Sequence, residues 1–219
     1  MQVFCDFDGT ISAIDTTDHI LAKLAHPRWR DIEAEWVAGR LDAAACMRAQ
    51  IGMIRGSDAE LDARLDEVAL DPGFTTFAAW CEDNGIPLTI VSDGVDYFIR
   101  RILRRHGLGN LPIVSNKLAG EAGARRLEQP YKRTGCAGGS GVCKCETARL
   151  AQSDRLRPLV YVGDGRSDFC VSARADILFA KGALADYAAS LNRPHHVFKT
   201  FHDVTAQLDG LLAERLVAI

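Results

Sequence analysis

An α/β chain with a doubly wound, Rossmann-like parallel sheet is predicted by three features of the sequence. From residue 72 onward, short apolar runs alternate with helical segments. Polar clusters rich in Gly and Asp stand directly behind those runs. Residues 14–71 carry helical periodicity and no strand pattern. Strands alternating with helices imply a parallel sheet covered on both faces, and such sheets bind ligands at the carboxyl ends of their strands. The expected division is an α/β core of residues 1–13 and 72–219, with a small all-helical cap of residues 14–71 inserted after the first strand.

The elements follow in order. Gln2 to Phe7 is a short apolar strand that stops at Gly9. Within 14–71, Ile20, Leu21 and Leu24 have helical spacing. Ile32, Trp36 and Val37 mark a second helix, Met47, Ile51 and Ile54 a third, and Leu61, Leu65 and Val68 a fourth. Gly39 and Gly56-Ser57 punctuate them, and Asp71-Pro72-Gly73 closes the segment. Then come a helix from Phe74 to Asn84, a strand from Pro87 to Val91, a helix from Asp96 to His106 and a strand from Leu111 to Val114. Residues 117–143 read as irregular, rich in Gly, Arg and Cys. Beyond them are expected a helix from Cys145 to Ser153, a buried strand from Leu159 to Val162 and a helix from Ser167 to Ala173. A strand from Ile177 to Ala180, a helix from Ala183 to Leu191, an edge strand from His196 to Phe198 and a closing helix from Val204 to Leu216 complete the chain.

Composition narrows the function classes. The 219 residues are 47% hydrophobic and 25% charged, enough for one sizeable core with a small insert. A formal net charge of −3 implies no attraction to nucleic acid or to anionic membrane. No apolar run is long enough to span a bilayer. Met1 to Phe4 lead straight into acidic residues, which is not a secretory signal pattern. The seven cysteines are scattered and odd in number, as expected of reduced thiols in a cytoplasmic protein. The oligomeric state, monomer or homodimer, is left open by the residues.

Four polar clusters follow strands: Asp6-Phe7-Asp8-Gly9-Thr10, Ser92-Asp93-Gly94, Lys144 in a Cys-Gly loop, and Gly163-Asp164-Gly165-Arg166-Ser167-Asp168. Asp6 and Asp8 are one residue apart, so within a strand their carboxyls would share a face. Such a pair is costly unless a cation or a shared proton relieves it. One carboxylate can attack phosphorus while its neighbour exchanges protons with the leaving oxygen and then with water; an Asp-Gly turn closing a strand is the plainer alternative. Asp164 and Asp168 add hard oxygen donors of the kind Mg²⁺ prefers, with Asp6 and the main-chain carbonyl of Asp8, Asp168 binding directly or through water. A turn and a helix cap would use the same residues. Ser92 with the Asp93 and Gly94 amides stands at a helix start, where an anion is favoured, or where an ordinary cap sits. Lys144 offers a point charge for a phosphate, or is solvated surface.

The ordered set Asp-x-Asp-Gly-Thr, Ser, Lys and Gly-Asp-Gly-x-Ser-Asp resembles the four signatures of the haloacid dehalogenase superfamily across essentially the whole chain. That resemblance implies a Mg²⁺-dependent phosphatase with Asp6 as nucleophile and Asp8 as general acid and base. It implies Ser92, Asp93, Gly94, Lys144, Gly9 and Thr10 around the phosphate, and Asp6, Asp8, Asp164 and Asp168 around the metal. The second aspartate, Asp8, marks phosphatases rather than dehalogenases of the superfamily, and the helical insert resembles its small-cap type. Cys5, Ser92-Asp93-Gly94-x-Asp96, Cys136, Cys143-Lys144 and Asp168-Phe169-Cys170 resemble one sub-branch. It includes the methionine-salvage phosphatase of 2-hydroxy-3-keto-5-methylthiopentenyl phosphate and the phosphoethanolamine/phosphocholine and pyridoxal-phosphate phosphatases. The chain departs from phosphoserine phosphatases at the second signature, where they have Ser-Gly-Gly, and in the cap, where Gln50 falls at their arginine. The expected partner is a small phosphorylated metabolite. Phosphoryl transfer to another alcohol, or a catalytically idle phosphate-ester-binding module, are the alternatives.

In the cap, Asp15 and Asp18 could face an amine or hydroxyls of the substrate, or cap a helix. Arg48 and Arg55 could reach an anionic substrate group or equally lie on the cap's outer face, and Gln50 joins them as a candidate specificity residue. Trp29, Trp36 and Trp80 read as core anchors. The run Arg100, Arg101, Arg104 and Arg105 reads as a solvated helix face. Cys136, Cys143 and Cys145, with Cys170 as a fourth, lack the paired spacing of a zinc site and read as loop thiols or a labile disulfide.

Overall fold

The computed structural model describes residues 1–151 and 157–217. The central sheet has seven strands in the order β4-β3-β2-β1-β5-β6-β7. They are β1 (Gln2–Cys5), β2 (Leu88–Val95), β3 (Ile113–Ala119), β4 (Arg126–Glu128), β5 (Leu159–Gly163), β6 (Ile177–Ala180) and β7 (His196–Val197). All pairings are parallel except β3 with β4. Strand order runs from β1 toward β2 and β3 on one side and from β5 toward β6 and β7 on the other. The point where it reverses, between β1 and β5, is where open α/β sheets bind ligands.

Alternation along the strands decides which helices cover which face. Val3 and Cys5 of β1, Val160 and Val162 of β5 and Phe179 of β6 point to one core. There they meet Phe74 and Phe77 of α5 (Phe74–Asp83), Phe98 and Ile102 of α6 (Asp96–Arg105) and Phe201 and Leu208 of α10 (Phe201–Val217). Phe4, Tyr161, Leu178 and Ala180 point the opposite way. There they meet Ala148 of α7 (Lys144–Ala151), Val171 of α8 (Phe169–Ser172) and Leu184 and Ala188 of α9 (Gly182–Ser190). A side-chain period of two on a sheet buried on both faces gives this near-continuous apolar pattern.

Four helices stand between β1 and α5: α1 (Thr16–Leu24), α2 (Trp29–Val37), α3 (Ala43–Ile51) and α4 (Asp58–Leu65). Each of the four periodic patterns read from the sequence is a helix. Asp15, Asp42 and Ser57 cap α1, α3 and α4 through side-chain oxygens. The connections into and out of this segment run side by side, Ser12 bridging Leu70 while the Asp71 amide donates to the Ile11 carbonyl. Arg101 of α6 grips Asp66, just past α4, with Nε–Oδ1 2.9 Å and Nη2–Oδ2 2.7 Å. The basic run on α6 is thus a docking face for α4, not only a solvated one. It needs tertiary proximity across 35 residues and leaves no local trace.

Three further departures are physical. Residues 117–128 are not irregular: β3 turns back through an antiparallel pair with β4, Leu118 facing Leu127. β2 does not stop at Val91 but runs through Ser92-Asp93-Gly94 to Val95, with a register shift against β3. Polar residues and a glycine hid that extension. Trp36 is a partly exposed wall residue rather than a core anchor, whereas Trp29 is buried. The end of the helix expected over 145–153 lies outside the described residues. No described helix is long and apolar enough to cross a membrane.

Buried Asp71 joins the outgoing connection to α10, its Oδ1 accepting from the amides of Gly73 and Phe201, each at 2.9 Å. Asp71→Ala leaves both amides unpaired. It is expected to cost about 1–3 kcal/mol of unfolding free energy, read by urea denaturation, with Asp71→Asn costing less.

Candidate active site

β1 ends one residue before Asp6 and β5 at Gly163, so parallel pairing delivers Asp6 and Asp164 side by side. Lys144 is the first residue of α7, and a short turn after β5 carries Asp168. These elements converge on a buried charge cluster. Lys144 Nζ lies 2.7 Å from Asp6 Oδ2, 2.6 Å from Asp168 Oδ1 and 3.0 Å from Ser167 Oγ. Lys144 is 2% exposed, Asp6 5% and Asp168 0%, which makes this a desolvated ion cluster rather than a surface pair.

Asp168 is saturated. Its Oδ1 accepts from Lys144 and from the Tyr161 hydroxyl, and its Oδ2 from the amides of Asp164 and Gly165. A carboxylate has about four acceptor sites, so Asp168 orients Lys144 and the loop and has no lone pair left for a direct bond to a cation. Asp6 keeps more capacity, accepting from the Phe7 amide at 2.7 Å and from Lys144. Asp164 Oδ1 accepts from Thr10 Oγ1 at 2.6 Å. The fully buried Thr10 is therefore a strut for Asp164, which takes up its hydroxyl proton. Gly9 sits at φ +71°, where a Cβ would also stand 2.6 Å from Asp164 Oδ2, so glycine is required twice over.

Among the described residues, Asp6, Asp164 and Asp168 bring candidate ligand atoms within 4.8 Å of one another. Three carboxylates face one lysine there, and hard oxygen donors with an uncompensated negative charge suit Mg²⁺. Burial pushes the Asp6 carboxyl well above the ordinary carboxylate range; Asp168 pushes it further, and Lys144 pulls it back. Burial likewise lifts Asp164, with the Thr10 hydrogen bond opposing. Burial alone would lower Lys144, but Asp168 and Asp6 overcome it and hold the ammonium above its usual range.

Asp8 stands beyond the cluster. Its Oδ1 accepts from the Thr16 amide at 2.9 Å, at the start of α1. A Cβ on Gly94 would collide with its Oδ2, so the glycine makes room for this carboxyl. Burial, then Asp15, pushes Asp8 up to about 7. Ser92 and Gly94 line the same cavity, Ser92 Oγ accepting from the Gly94 amide at 3.0 Å. Asp93 is occupied structurally, its Oδ1 accepting from Asn116 Nδ2 and the Val142 amide and so tying β2 to the loop before Lys144.

The cavity holds about 610 Å³ and reaches from Asp6 to the helical segment. Its far wall is acidic. Asp15 and Asp18 of α1 are joined there by Glu33 of α2. Partial burial raises Asp18 to about 6, with Asp15 and Glu33 adding to the effect. Gln50 is buried and donates to Glu33 Oε2 at 2.7 Å, turning Glu33 into the cavity. Arg48 and Arg55 are exposed and are not among the lining residues, which favours the outer face over a reach toward an anionic group. On α3 it is Ala43, Cys46, Met47 and Gln50, at helical spacing, that face inward, and Arg48 falls on the other side. Glu33 and Trp36 were missed; their i,i+3 spacing on α2 was the available signal. The Arg166 guanidinium stands 6.0 Å from the Trp36 ring, linking the loop after β5 to the helical segment.

The haloacid dehalogenase-like hydrolase family matches residues 3–172. A 2-hydroxy-3-keto-5-methylthiopentenyl-1-phosphate phosphatase of Brevibacillus brevis is 30% identical over 98% of this chain and 97% of its own. A polyol phosphate phosphatase of Saccharomyces cerevisiae is 28% identical over 99% of this chain and 96% of its own. The solved structure of a phospho-aspartyl intermediate analogue of phosphoserine phosphatase superposes with a TM-score of 0.63, at 18% identity, covering 91% of this chain and 93% of that one.

Lys144→Met is expected to destabilise the protein by about 3–5 kcal/mol near neutral pH, by stranding two buried carboxylates. The loss should shrink on going from neutral to acidic pH, because Asp6, already held high, binds a proton and relieves the repulsion. Denaturation curves at the two pH values check this.

Proposed function

The chain belongs to the haloacid dehalogenase-like hydrolases, and from that membership and the site geometry we propose a Mg²⁺-dependent phosphomonoesterase that works through an aspartyl-phosphate. The observation that carries the reading is Asp6, buried at the switch point with Lys144 on one oxygen and Asp164 beside it. Asp6 attacks phosphorus in line, and the ester oxygen departs with a proton from Asp8. Water, deprotonated by Asp8, then attacks the same phosphorus, releasing phosphate and free Asp6. Lys144 and the Ser92 hydroxyl hold phosphoryl oxygens through both steps. Asp6, Asp164 and the Asp8 main-chain carbonyl would hold Mg²⁺, with Asp168 keeping Lys144 and the loop after β5 in place; the ion's charge would stabilise the phosphoryl oxygens. The helical segment acts as the cap, closing over the ester and excluding water.

The acidic wall narrows the substrate. Asp15, Asp18 and Glu33 face the leaving group, and the cap places no arginine or lysine among the lining residues. A leaving group bearing a carboxylate would meet like charges; one bearing hydroxyls or a carbonyl-rich chain would not. Both the methylthiopentenyl-phosphate and the polyol-phosphate relatives have names that fit this rule. The relatives' names make the methionine-salvage step the leading specific assignment; the acidic wall tells against the carboxylate of phosphoserine, and it suits the cationic leaving groups of phosphocholine and phosphoethanolamine, which stand second, ahead of pyridoxal phosphate.

Turnover of an aryl phosphate is expected with Mg²⁺ and not after chelation. Asp6→Asn should abolish it, and Asp8→Asn should lower kcat by about 10²–10⁴-fold. Activity surviving Asp6→Asn removes the nucleophile assignment. For the cap, glycerol phosphate should be preferred over 3-phosphoglycerate in kcat/KM by about 10-fold or more, equivalent to about 1.4 kcal/mol. The preference should strengthen as pH rises through about 6, where Asp18 ionises beside Asp15 and Glu33. Asp18→Asn with Glu33→Gln should flatten both the preference and its pH dependence.

A further inference from the structure

Among the described residues three buried hydroxyls lack a hydrogen-bond partner: Thr16, Thr17 and Ser115. Of these, Thr17 lines the catalytic cavity. A buried polar group without a partner carries the full cost of its desolvation, and in a cavity wall it calls for an explanation. The local fold explains why the hydroxyl is unpaired. A helical threonine commonly returns its hydroxyl to the carbonyl three or four residues back. Thr17 is only the second residue of α1, and the Ile14 carbonyl three residues back already accepts from Ser12 Oγ at 2.8 Å. Thr17 is 5% exposed, so bulk water does not replace the missing acceptor. One χ1 step exchanges hydroxyl and methyl, which turns the donor toward the cavity without moving the helix.

The surroundings of Thr17 fix the chemistry of the partner it lacks. Asp15, Asp18 and Glu33, on the same wall, are acceptors only when ionised. They suit the hydroxyls or ammonium of a leaving group, but a carbonyl oxygen among them would face acceptors alone. The Gln50 amide group is taken by Glu33, at 2.7 Å. Trp36 also carries an N–H, but its ring faces the Arg166 guanidinium on the loop after β5. Thr17 is thus the donor that α1 brings to this wall. It follows Thr16, whose amide holds Asp8 Oδ1 at 2.9 Å. Asp8 serves the ester oxygen, so a donor one residue further along falls beside the first carbons of the leaving group.

We propose that Thr17 determines specificity by donating its hydroxyl hydrogen to a carbonyl oxygen on the first carbons of the leaving group, which makes keto esters the preferred substrates. This deepens the phosphatase reading and rests on it. A hydroxyl in the same place gains less from Thr17, because it can donate to the neighbouring carboxylates instead. A carbonyl has no such alternative, and a site built around one hydrogen bond discriminates against whatever cannot make it.

The test compares the parent chain with Thr17→Val, which keeps the shape and loses the hydroxyl, and Thr17→Ser, which keeps the hydroxyl. With Mg²⁺, at a pH above the ionisation of Asp18 near about 6, kcat/KM is measured for dihydroxyacetone phosphate, glycerol phosphate and an aryl phosphate. In Thr17→Val the ratio of dihydroxyacetone phosphate to aryl phosphate should fall about 10-fold or more. The ratio of dihydroxyacetone phosphate to glycerol phosphate should fall with it, and Thr17→Ser should restore most of both. A general loss that leaves the ratios in place, a fall shared equally by glycerol phosphate, or a serine variant that behaves like valine overturns the proposal. Urea denaturation without substrate tests the premise. An unpaired hydroxyl does not hold the free protein together, so Thr17→Val should be at least as stable as the parent. A destabilised or unfolded variant shows the hydroxyl already engaged and overturns the proposal. A parent chain that turns over none of the three esters counts against the phosphatase reading. Calorimetric binding of dihydroxyacetone phosphate to parent and Thr17→Val then decides the role of Thr17: weaker binding to the variant supports it, and equal binding or none overturns it.

Discussion

A lysine ammonium buried between two carboxylates is the contact on which the rest of the site depends. Lys144 bridges Asp6 and Asp168 at 2.7 and 2.6 Å, with almost no solvent reaching any of the three. Taking such ions out of water costs several kcal/mol each, and only good geometry with further hydrogen bonds offsets that. The further bonds are present: Tyr161 and two main-chain amides complete Asp168, and the Phe7 amide serves Asp6. The cluster therefore ties β1, β5, α7 and the turn after β5 into one rigid unit. Rigidity of that kind suits chemistry in which positioning and fixed charge do most of the catalysis.

Around this unit the two parts of the chain divide the work. The sheet carries the end of the cavity at the buried lysine cluster, and α1 to α3 carry its opposite, acidic end. Asp8 stands at the border, its carboxyl held by the Thr16 amide at the start of α1. A carboxyl held from the helical side is sensitive to how that side sits. Arg101 with Asp66, and Arg166 over Trp36, are among the contacts that set that position.

Much of this was legible in the residues. Short continuous apolar runs and strand-end clusters announced the sheet and its binding edge, because burial on both faces leaves few other patterns. Four helical periods after β1 announced four helices, since each must hide one apolar face. The β3–β4 pair escaped notice because its residues alternate around glycines and charges, and antiparallel pairing at an edge demands little apolar sequence. Glu33 escaped because a lone glutamate on a polar helix looks like solvated surface until Gln50, 17 residues later, turns it inward. Arg48 and Arg55 were drawn in by their charge alone.

Sequence by itself determined the α/β class, the order of its elements and the identity of the acids, the serine and the lysine at strand ends. These are local or periodic properties, and backbone geometry converts them directly into placement. Only the tertiary structure decided what each group does there. Asp168 is saturated and orients Lys144; Thr10 supports Asp164; Asp93 ties down a loop; the cap contributes acids rather than arginines. Hydrogen-bond capacity and desolvation depend on which atoms stand within about 3 Å, and residues up to 154 positions apart, such as Thr10 and Asp164, meet only after the chain has folded.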